Sequence, residues 1–314
     1  MSEQDQLDLE PPRAYAKPRW GDYHPDGPAG LLAAWRARRL LNGALRHLAA
    51  NHPSKAGQLI LEARGLAGVE VECERVGLRW RLTPSDLAQR VMFAGGSFEH
   101  PLVMWIASQL RQGDRVADIG AHVGLFTTQF AHRLEALGGG AVVSFEPAPD
   151  SATKVNAHVA MNGLDDLVTV VEAAVGAEPG RASLRVAEVA EPDDPSRRSI
   201  FGEGDTVAAN VEVIRFDDWW DYAGRPAIDV VKVDVEGAEL GVVEGMRTAL
   251  TTARPRLMVV EIKEKLSALA GVDANEVVEV LADLGYERRG AFSEVIGHAP
   301  MAYLDDNVVF MPKG

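Results

Sequence analysis

The sequence predicts an α/β protein built on a doubly wound, mostly parallel sheet, and three stretches of the chain carry that prediction. Residues 116–119 form a short apolar run that ends at a glycine turn, and residues 141–145 form a second run that ends at Glu146. A third run, residues 228–233, ends in acidic residues and leads into a periodic helix. Short buried runs that alternate with helices are typical of parallel sheets covered by helices on both faces.

The first ninety residues are expected to form a preface to this sheet. Proline, glycine and polar residues dominate residues 1–30, which predicts an extended or disordered tail. Residues 31–48 carry apolar positions at helical spacing, and alternation at residues 69–75 and 77–82 predicts a β-hairpin. Residues 31–90 are therefore interpreted as an N-terminal cap that combines a helix with a hairpin. The periodicity predicts two further helices, at residues 85–94 and 99–111.

The glycine turn after the first run indicates a nucleotide-type cofactor site. Gly120 and Gly124 bracket the turn, and Glu146 ends the next strand, where a ribose needs an acceptor for its hydroxyl pair. The dinucleotide fingerprint G-x-G-x-x-G is absent, and His122 would crowd a pyrophosphate. S-adenosylmethionine carries no phosphate, and Asp118 is placed to lie near its ammonium group. A glycine turn that merely connects a strand to a helix is the alternative, and Glu146 in register argues against it.

The next elements continue the alternation of strands and helices. A helix is predicted at residues 150–162 and a strand at residues 167–171, which ends at Glu172. Residues 191–204 are rich in proline, glycine and charge, which predicts a long polar loop. We expect a strand at residues 211–216, followed by a helix that Asp217 caps.

Acidic residues mark the end of the third apolar run. The chain turns between Asp234 and Gly237 into a helix whose apolar residues recur up to Leu250. Open parallel sheets bind ligands at the carboxyl ends of their strands. Asp118, Glu146 and Asp234 are therefore all expected to face one crevice.

The C-terminal part of the chain is expected to complete the sheet. Residues 257–262 read as another buried strand, and residues 273–284 as an amphipathic helix with Asp273 as its cap. Residues 293–297 and 307–311 are expected to form a closing antiparallel pair.

Three motifs together resemble the FkbM family of S-adenosylmethionine-dependent methyltransferases. They are the glycine loop at residues 118–124, the F-E-P strand end at residues 145–147 and the K-x-D-x-E-G-A-E segment at residues 232–239. The similarity covers about residues 90–312, and His122 stands where the family usually has asparagine. The resemblance implies a Rossmann-like class I fold, with a seven-stranded sheet in an S-adenosylmethionine-binding domain at residues 91–314. It also implies these cofactor-binding residues, with the end of the strand at Glu172 beside the adenine: Asp118, Gly120, His122, Gly124, Glu146, Pro147, Glu172, Ala173 and Asp234.

Transfer of a methyl group to a hydroxyl needs an aligned acceptor and a group that removes its proton. The candidate bases are Asp234, Glu236 and Glu239, because burial or neighbouring acids can raise the pKa of a carboxylate. Lys232 is expected to be catalytic as a buried counter-charge beside them. His122 and His158 are further candidate bases, although the helical position of His158 favours a structural role.

A divalent ion is a second way to activate a hydroxyl, because coordination lowers the pKa of the bound oxygen. Asp234 and Glu261 end neighbouring strands, so together with water they are candidate ligands for Mg²⁺. The alternative is that the same carboxylates cap helix starts or accept hydrogen bonds from an uncharged sugar.

Charge and composition exclude several classes of partner. The 314-residue chain has 32 Lys and Arg against 46 Asp and Glu, a net charge of −14, which argues against binding to a phosphate backbone. Its one basic cluster, residues 35–41, reads as the solvated face of a packing helix or as a contact for a membrane surface or a carrier protein. The single cysteine, Cys73, excludes an intrachain disulfide and is expected to be a buried strand residue.

The sequence also gives an expectation for the compartment. The polar, acidic start does not resemble a secretory signal, and no run of about 18 apolar residues is long enough for a membrane span. The predicted location is therefore the cytoplasm.

These observations lead to one preferred function and two alternatives. The preferred function is an O-methyltransferase acting on a hydroxyl of a sugar, polyketide or other natural product, with a small-molecule or glycan acceptor and no nucleic acid. The alternatives are methylation of a nitrogen or carboxyl group of a peptide or small metabolite, and a non-catalytic protein that keeps the cofactor fold. A homo-oligomer is compatible with each of them.

Overall fold

The computed structural model describes residues 70–75, 77–83, 89, 99–186, 198–199, 207–298 and 304–314. Several predictions lie outside the described residues: the tail at residues 1–30, the helix at 31–48 with its basic cluster, the helix at 85–94 except Gln89, and the loop at 191–204 except residues 198–199. In the described part, no helix is long and apolar enough to cross a membrane.

The centre of the fold is the predicted doubly wound sheet of seven strands. Its strands are β3 (Arg115–Ile119), β4 (Ala141–Phe145), β5 (Val168–Val171), β10 (Val230–Val233), β11 (Leu257–Glu261), β12 (Tyr286–Ala291) and β13 (Asn307–Pro312). The order across the sheet is β12-β13-β11-β10-β3-β4-β5. Neighbouring strands from β11 to β5 are parallel, and β13 joins β11 and β12 antiparallel. The predicted mostly parallel sheet is confirmed.

Helices cover both faces of this sheet, because alternate side chains of each central strand point to opposite faces. The helices are α1 (His100–Gln109), α2 (Leu125–Ala136), α3 (Pro149–Met161), α4 (Phe216–Tyr222), α5 (Glu239–Gly245), α6 (Arg247–Thr252), α7 (Glu264–Leu269), α8 (Ala274–Asp283) and α9 (Phe292–Val295). On one face, Val116 and Val230 pack with Trp105 of α1 and Phe130 of α2. On the other face, Val231 belongs to a separate cluster with residues of α4, α5 and α8. The apolar runs of the sequence are therefore strands buried from both sides.

The predicted hairpin is confirmed and packs against the main domain. Strand β1 (Val71–Arg75), which contains Cys73, pairs antiparallel with β2 (Leu78–Leu82). Leu78, Trp80 and Leu82 are about 1% exposed and belong to the same hydrophobic cluster as α1 and α2. The hairpin therefore shares the core of the sheet, while the domain boundaries at residues 30 and 90 stay predictions.

A buried histidine links this hairpin to the glycine turn. His158 of α3 is fully buried, its Nε2 accepts a hydrogen bond from the Arg81 backbone N–H at 3.0 Å, and its Nδ1 lies 2.8 Å from the Val123 carbonyl oxygen. Since Nε2 is an acceptor, Nδ1 carries the proton and the ring is neutral. Burial lowers the pKa of His158, which agrees with the predicted structural role rather than that of a base.

A second, four-stranded sheet was not predicted. It contains β6 (Ala174–Val175), β7 (Gly180–Val186), β8 (Arg198–Ser199) and β9 (Val207–Ile214) in the order β6-β9-β7-β8. The predicted strand at residues 211–216 is thus the end of β9, and Phe216 already starts α4.

The prediction that Asp217 caps its own helix was wrong, because this residue lies inside α4 and caps another helix. The carboxylate of Asp217 accepts hydrogen bonds from the backbone N–H groups of Thr248 and Ala249, at 2.8 and 2.9 Å, and thus caps α6. The predicted helix up to Leu250 is two helices, α5 and α6, which meet at Met246. The cap by Asp273 is confirmed, because its carboxylate accepts from the Asn275 N–H at the start of α8.

The predicted strand at residues 293–297 was also wrong. Residues of that segment form α9, and the antiparallel partner of β13 is β12. Strand β12 lies at the sheet edge and carries Glu287, Arg288 and Arg289, so it lacks the apolar alternation that marked the other strands. The backbone N–H of Ser293 donates instead to the Asp305 carboxylate at 3.1 Å.

Candidate active site

The glycine turn holds the ends of three neighbouring strands together. Gly120 adopts φ 88°, and its N–H donates to the Phe145 carbonyl oxygen at 2.9 Å. A Cβ at Gly120 would lie 1.7 Å from the carbonyl oxygen of Asp234. Only glycine fits this position, because both the backbone conformation and the space exclude a side chain. The turn after β3 therefore touches the end of β4 on one side and the end of β10 on the other.

Glu146 fixes this turn from the end of β4. The side chain is 7% exposed, and its two carboxylate oxygens accept hydrogen bonds from the backbone N–H groups of His122, at 2.7 Å, and Ala148, at 2.9 Å. His122 itself adopts a left-handed φ of 53°. A carboxylate oxygen can accept more than one hydrogen bond, including one from a hydroxyl group. The arrangement fits the ribose of a cofactor laid across the strand ends.

The other predicted cofactor residues lie around this turn. Gly124 has φ 85°, and a Cβ there would lie 3.2 Å from Val155 of α3. Pro147 follows Glu146 directly. Glu172 and Ala173 follow β5, the neighbouring strand, and Glu172 is exposed whereas Ala173 is 3% exposed. The structure thus places these residues together at the carboxyl ends of the parallel strands.

Asp118 does not face the crevice as predicted. The residue is completely buried within β3, and its Oδ2 accepts a hydrogen bond from the Thr127 hydroxyl at 2.6 Å. Its Oδ1 has no hydrogen-bond partner in the described part of the chain. Burial raises the pKa of Asp118, against the opposing charge of Lys232. Asp118 therefore lies beneath the glycine turn and supports α2.

Lys232 and Asp234 form an ion pair at the end of β10. The Lys232 side chain is 1% exposed, and its Nζ lies 2.7 Å from Asp234 Oδ2 and 4.3 Å from the centre of the Phe126 ring. Burial opposes the charge of Lys232, but the carboxylates of Asp234, Glu99 and Asp118 outweigh it and raise the pKa. Burial likewise opposes the charge of Asp234, but Lys232 and Lys263 hold the pKa of Asp234 well below its usual range. Asp234 is therefore an oriented anion.

A second lysine balances the acids on the far side of Asp234. Lys263 Nζ lies 2.6 Å from Glu261 Oε2 and 3.4 Å from Glu236 Oε2. Glu236 adopts a left-handed φ of 52°, in the turn after β10. Burial and the charge of Asp234 raise the pKa of Glu261 well above its usual range, and its carboxyl group shares a hydrogen bond with Asp234. Lys263 follows β11 and was not predicted, because no motif of the sequence marks it.

Glu99 is the other residue that the sequence did not reveal. It precedes α1 with a left-handed φ of 48°, and its side chain makes no capping hydrogen bond to that helix. One oxygen of Glu99 lies within 4.8 Å of ligand oxygens of Asp234 and Glu261. Burial and the charge of Asp234 raise the pKa of Glu99 to about 7. Only the folded chain brings α1 to this edge of the sheet.

Glu239, the third candidate base, is held away from solvent. It is 3% exposed, and its Oε1 accepts a hydrogen bond from the Gly237 N–H at 2.9 Å. Burial raises the pKa of Glu239 to about 7, although that hydrogen bond opposes the shift. This contact fixes the turn that carries Glu236, so the structure gives Glu239 a supporting position.

The sheet order, the glycine turn and the acid at the end of the next strand define the Rossmann-like fold of class I methyltransferases. A family model described as "Methyltransferase FkbM domain" matches residues 118–288, more than half of the chain, and the chain belongs to that family. It is thus an S-adenosylmethionine-dependent methyltransferase, which removes the non-catalytic alternative.

Two relatives and two solved structures illustrate the similarity. The chain is 29% identical over 202 residues, 57% of this chain and 74% of the other, to the 31-O-demethyl-FK506 methyltransferase FkbM of Streptomyces tacrolimicus. It is 24% identical over 185 residues, 59% and 68% of the two chains, to the hexuronic acid methyltransferase AglP of Haloferax volcanii.

Among solved structures, a methyltransferase FkbM from Methylobacillus flagellatus matches 72% of this chain with a TM-score of 0.42 and 14% identity. The match covers 54% of that chain, so this chain spans about half the length of that neighbour. An O-methyltransferase from Bacillus cereus in complex with SAH matches with a TM-score of 0.38 and 12% identity, over 68% of this chain and 79% of that one.

Proposed function

We propose that this methyltransferase transfers a methyl group to a hydroxyl of a small-molecule or glycan acceptor, such as a sugar, polyketide or other natural product. The observation that carries the proposal is the Asp234 carboxylate. Asp234 Oδ2 lies 2.7 Å from Lys232 Nζ, which fixes the carboxylate. The backbone carbonyl oxygen of Asp234 contacts the cofactor turn at Gly120. A charged, oriented hydrogen-bond acceptor thus lies directly beside the cofactor turn.

The cofactor contacts follow from the same geometry. Glu146 is proposed to accept the ribose hydroxyls, and the turn from Gly120 to Gly124 to lie against the methionine part, with His122 as a donor. Glu172 and Ala173 are proposed to flank the adenine, beside Glu146 at the next strand end. Asp118 is proposed to act indirectly, because it is completely buried beneath the turn. S-adenosylmethionine supplies a methyl group already activated by its sulfonium charge.

Asp234 is the proposed proton acceptor. It would accept a hydrogen bond from the acceptor hydroxyl and so hold the oxygen in line for transfer. As the carbon–oxygen bond forms, the hydroxyl oxygen becomes positively charged and its proton becomes strongly acidic. A carboxylate with a low pKa can therefore take this proton, which leaves a neutral methyl ether and a protonated Asp234. Lys232 keeps Asp234 ionised before transfer, and Glu236 and Glu239 shape the adjoining turn.

The names of two relatives support the choice of acceptor. One relative is named for a 31-O-demethyl acceptor and the other for a hexuronic acid. Both names thus refer to oxygen-rich acceptors. A crevice lined with carboxylates is also suited to hydroxyl groups, which donate hydrogen bonds to them.

Calorimetric titration with S-adenosylhomocysteine tests the cofactor site first. We expect micromolar binding, weakened at least tenfold in Glu146→Ala, because the ribose loses its acceptor and the turn loses the hydrogen bond from the His122 N–H. Glu178→Ala, an exposed glutamate outside the site, is the control and should bind like the unchanged chain. Absence of binding by the unchanged chain would overturn the cofactor assignment.

Methyl transfer to a panel of uronic acids, glycosides and macrolide polyols tests the acceptor. Asp234→Asn should lower kcat by about 10²–10⁴-fold, the range for general base catalysis, while S-adenosylhomocysteine binding stays within a few-fold. Retained activity in Asp234→Asn would favour the alternative, transfer to nitrogen or carboxyl, which needs no base. Full turnover in excess EDTA would exclude a requirement for Mg²⁺ at Asp234 and Glu261.

A further inference from the structure

We propose that Glu99, Asp234, Glu261 and Asn307 form a binding site for one divalent cation of the Mg²⁺ or Mn²⁺ class. Oxygens of the three carboxylates lie within 4.8 Å of one another. Carboxylate and amide oxygens are the ligands that these hard cations prefer. The site extends the Asp234 and Glu261 pair of the sequence analysis by two residues that no motif marked.

The buried amide of Asn307 distinguishes this cluster from ordinary acidic residues at a protein surface. The residue is fully buried, and neither its Oδ1 nor its Nδ2 has a hydrogen-bond partner within the described residues. It pairs directly with Glu261 across β11 and β13. Directly opposed residues of an antiparallel pair project from the same face, with Cβ atoms about 5 Å apart. The Asn307 side chain therefore lies on the same face of the sheet as Glu261, directly beside it.

An unpaired buried amide is costly, because it loses its hydrogen bonds to water and gains none in the fold. A cation beside Glu261 would take the amide oxygen as a ligand. One ion thus satisfies the amide oxygen of Asn307.

The charges at the crevice also leave room for a divalent ion. Within the described residues, four carboxylates, those of Glu99, Asp234, Glu236 and Glu261, lie around the ammonium groups of two lysines, Lys232 and Lys263. The lysines contact Asp234 Oδ2 and Glu261 Oε2, and a cation would replace the hydrogen bond that the Glu261 carboxyl group shares with Asp234. Ligating carboxylates are commonly held by hydrogen bonds of this kind.

The same groups differ in exposure in a way that suits an ion with open coordination positions. Glu261 and Asn307 are 3% and 0% exposed and form the closed end, whereas the side chain of Asp234 is 19% exposed and Glu99 is half-buried. An ion would enter past Asp234 and keep its open positions towards the crevice. Binding of the cation does not depend on the proposed function. Only the part of the cation in methyl transfer rests on it, because a hydroxyl bound to the cation would have a lowered pKa.

The test is titration of the EDTA-treated full chain with Mn²⁺, followed by the electron paramagnetic resonance signal of free Mn²⁺. We expect one site with a Kd below about 100 μM. Glu99→Gln and Asn307→Leu should each weaken binding at least tenfold. Glu287→Gln, the same exchange on exposed β12 at the other end of the sheet, should leave the Kd unchanged.

Asn307→Asp separates loss of a ligand from loss of the fold. A carboxylate in place of the amide should keep Mn²⁺ affinity or increase it, whereas Asn307→Leu should lose it. Weak binding by the unchanged chain, or equal binding by all variants, would overturn the proposal. S-adenosylhomocysteine titrations of the same samples keep the outcomes apart: cofactor binding without Mn²⁺ binding refutes only the cation site.

Discussion

The two halves of the active site are built in different ways. At the ends of β3 and β4, the turn from Gly120 to Gly124 is held by backbone hydrogen bonds and by close contact. At the ends of β10 and β11, the side chains of Asp234 and Glu261 are held by ion pairs with two lysines. The first half thus depends on shape, and the second depends on charge.

This difference predicts opposite sensitivities to mutation. The turn half should be most sensitive to changes of volume, because a Cβ at Gly120 has no space. The carboxylate half should tolerate changes of shape but not of charge, because buried charges need partners. Substitutions that alter only one of the two properties can therefore test whether the two halves differ in this way.

The largest expected effect is on stability in Lys232→Met, which keeps an apolar chain against Phe126 and removes the charge. It leaves Asp234 without its nearest cation, and breaking a buried pair costs about 3–5 kcal/mol. The depressed pKa of Asp234 contributes stability above the ordinary carboxyl range, and this contribution is lost only as the pH falls through the lowered pKa. In Lys232→Met, burial favours the protonated form of Asp234, so at pH 4 this group can avoid the cost of an unpaired buried charge. The loss of stability should therefore be larger at pH 8 than at pH 4.

Urea unfolding of Lys232→Met at the two pH values measures this effect. Arg225→Met, which breaks an exposed pair with Asp221, is the control and should change little. Equal stability of Lys232→Met and the unchanged chain would show that charge does not organise this half.

Gly120→Ala is the next largest expected change. The added methyl group would meet the Asp234 carbonyl oxygen at 1.7 Å, so the turn and β10 must separate. We expect a stability loss of about 3 kcal/mol from overpacking and backbone strain, and loss of S-adenosylhomocysteine binding in calorimetry. Gly113→Ala has a similar φ of 84° but no atom within 4 Å, so it shows the strain alone and should still bind. Similar binding by both variants would contradict the role of shape.

A smaller effect is expected from Glu239→Gln, whose amide oxygen can still accept from Gly237. The pKa of Glu239 is raised to about 7 in the fold, so the native state holds this proton more tightly than the unfolded chain. Wild-type stability from this group is therefore full below the ordinary carboxyl pKa and is lost as pH rises through about 7. Glutamine does not titrate, so the stability of Glu239→Gln relative to wild type should rise by about 2 kcal/mol between pH 5 and pH 8 in urea unfolding. Parallel stability profiles of the two proteins would refute the burial of this charge.

The central strands could be predicted from the sequence because their signal is local. Residues 116–119, 141–145, 228–233 and 257–262 are apolar runs, since both faces of these strands are covered. The turn chemistry of Gly120 and the cap at Asp273 are likewise local patterns. The acids Glu146 and Asp234 were found because they follow such runs directly.

The rest could not be predicted because its cause lies in distant parts of the chain. Strand β12 is charged because it lies at an edge, and strands β7 and β9 of the second sheet are largely exposed or half-exposed, without a buried apolar run. Glu99 lies more than a hundred residues before Asp234 in the chain, and Asn307 lies on β13, beyond β11. Only the winding of the sheet brings these residues together. Asp217 looked like a cap for its own helix and caps α6 instead.

The imidazole of His158 makes the hairpin and the cofactor turn a single module for recombination. Its two nitrogens are used at once, one by the Arg81 backbone and one by the Val123 carbonyl oxygen. A chimera that joins the hairpin of one such protein to the sheet of another must therefore keep, at position 158, a neutral side chain that makes both hydrogen bonds. Segments that look separable along the chain, at residues 78–82 and 120–124, can be recombined only as a pair.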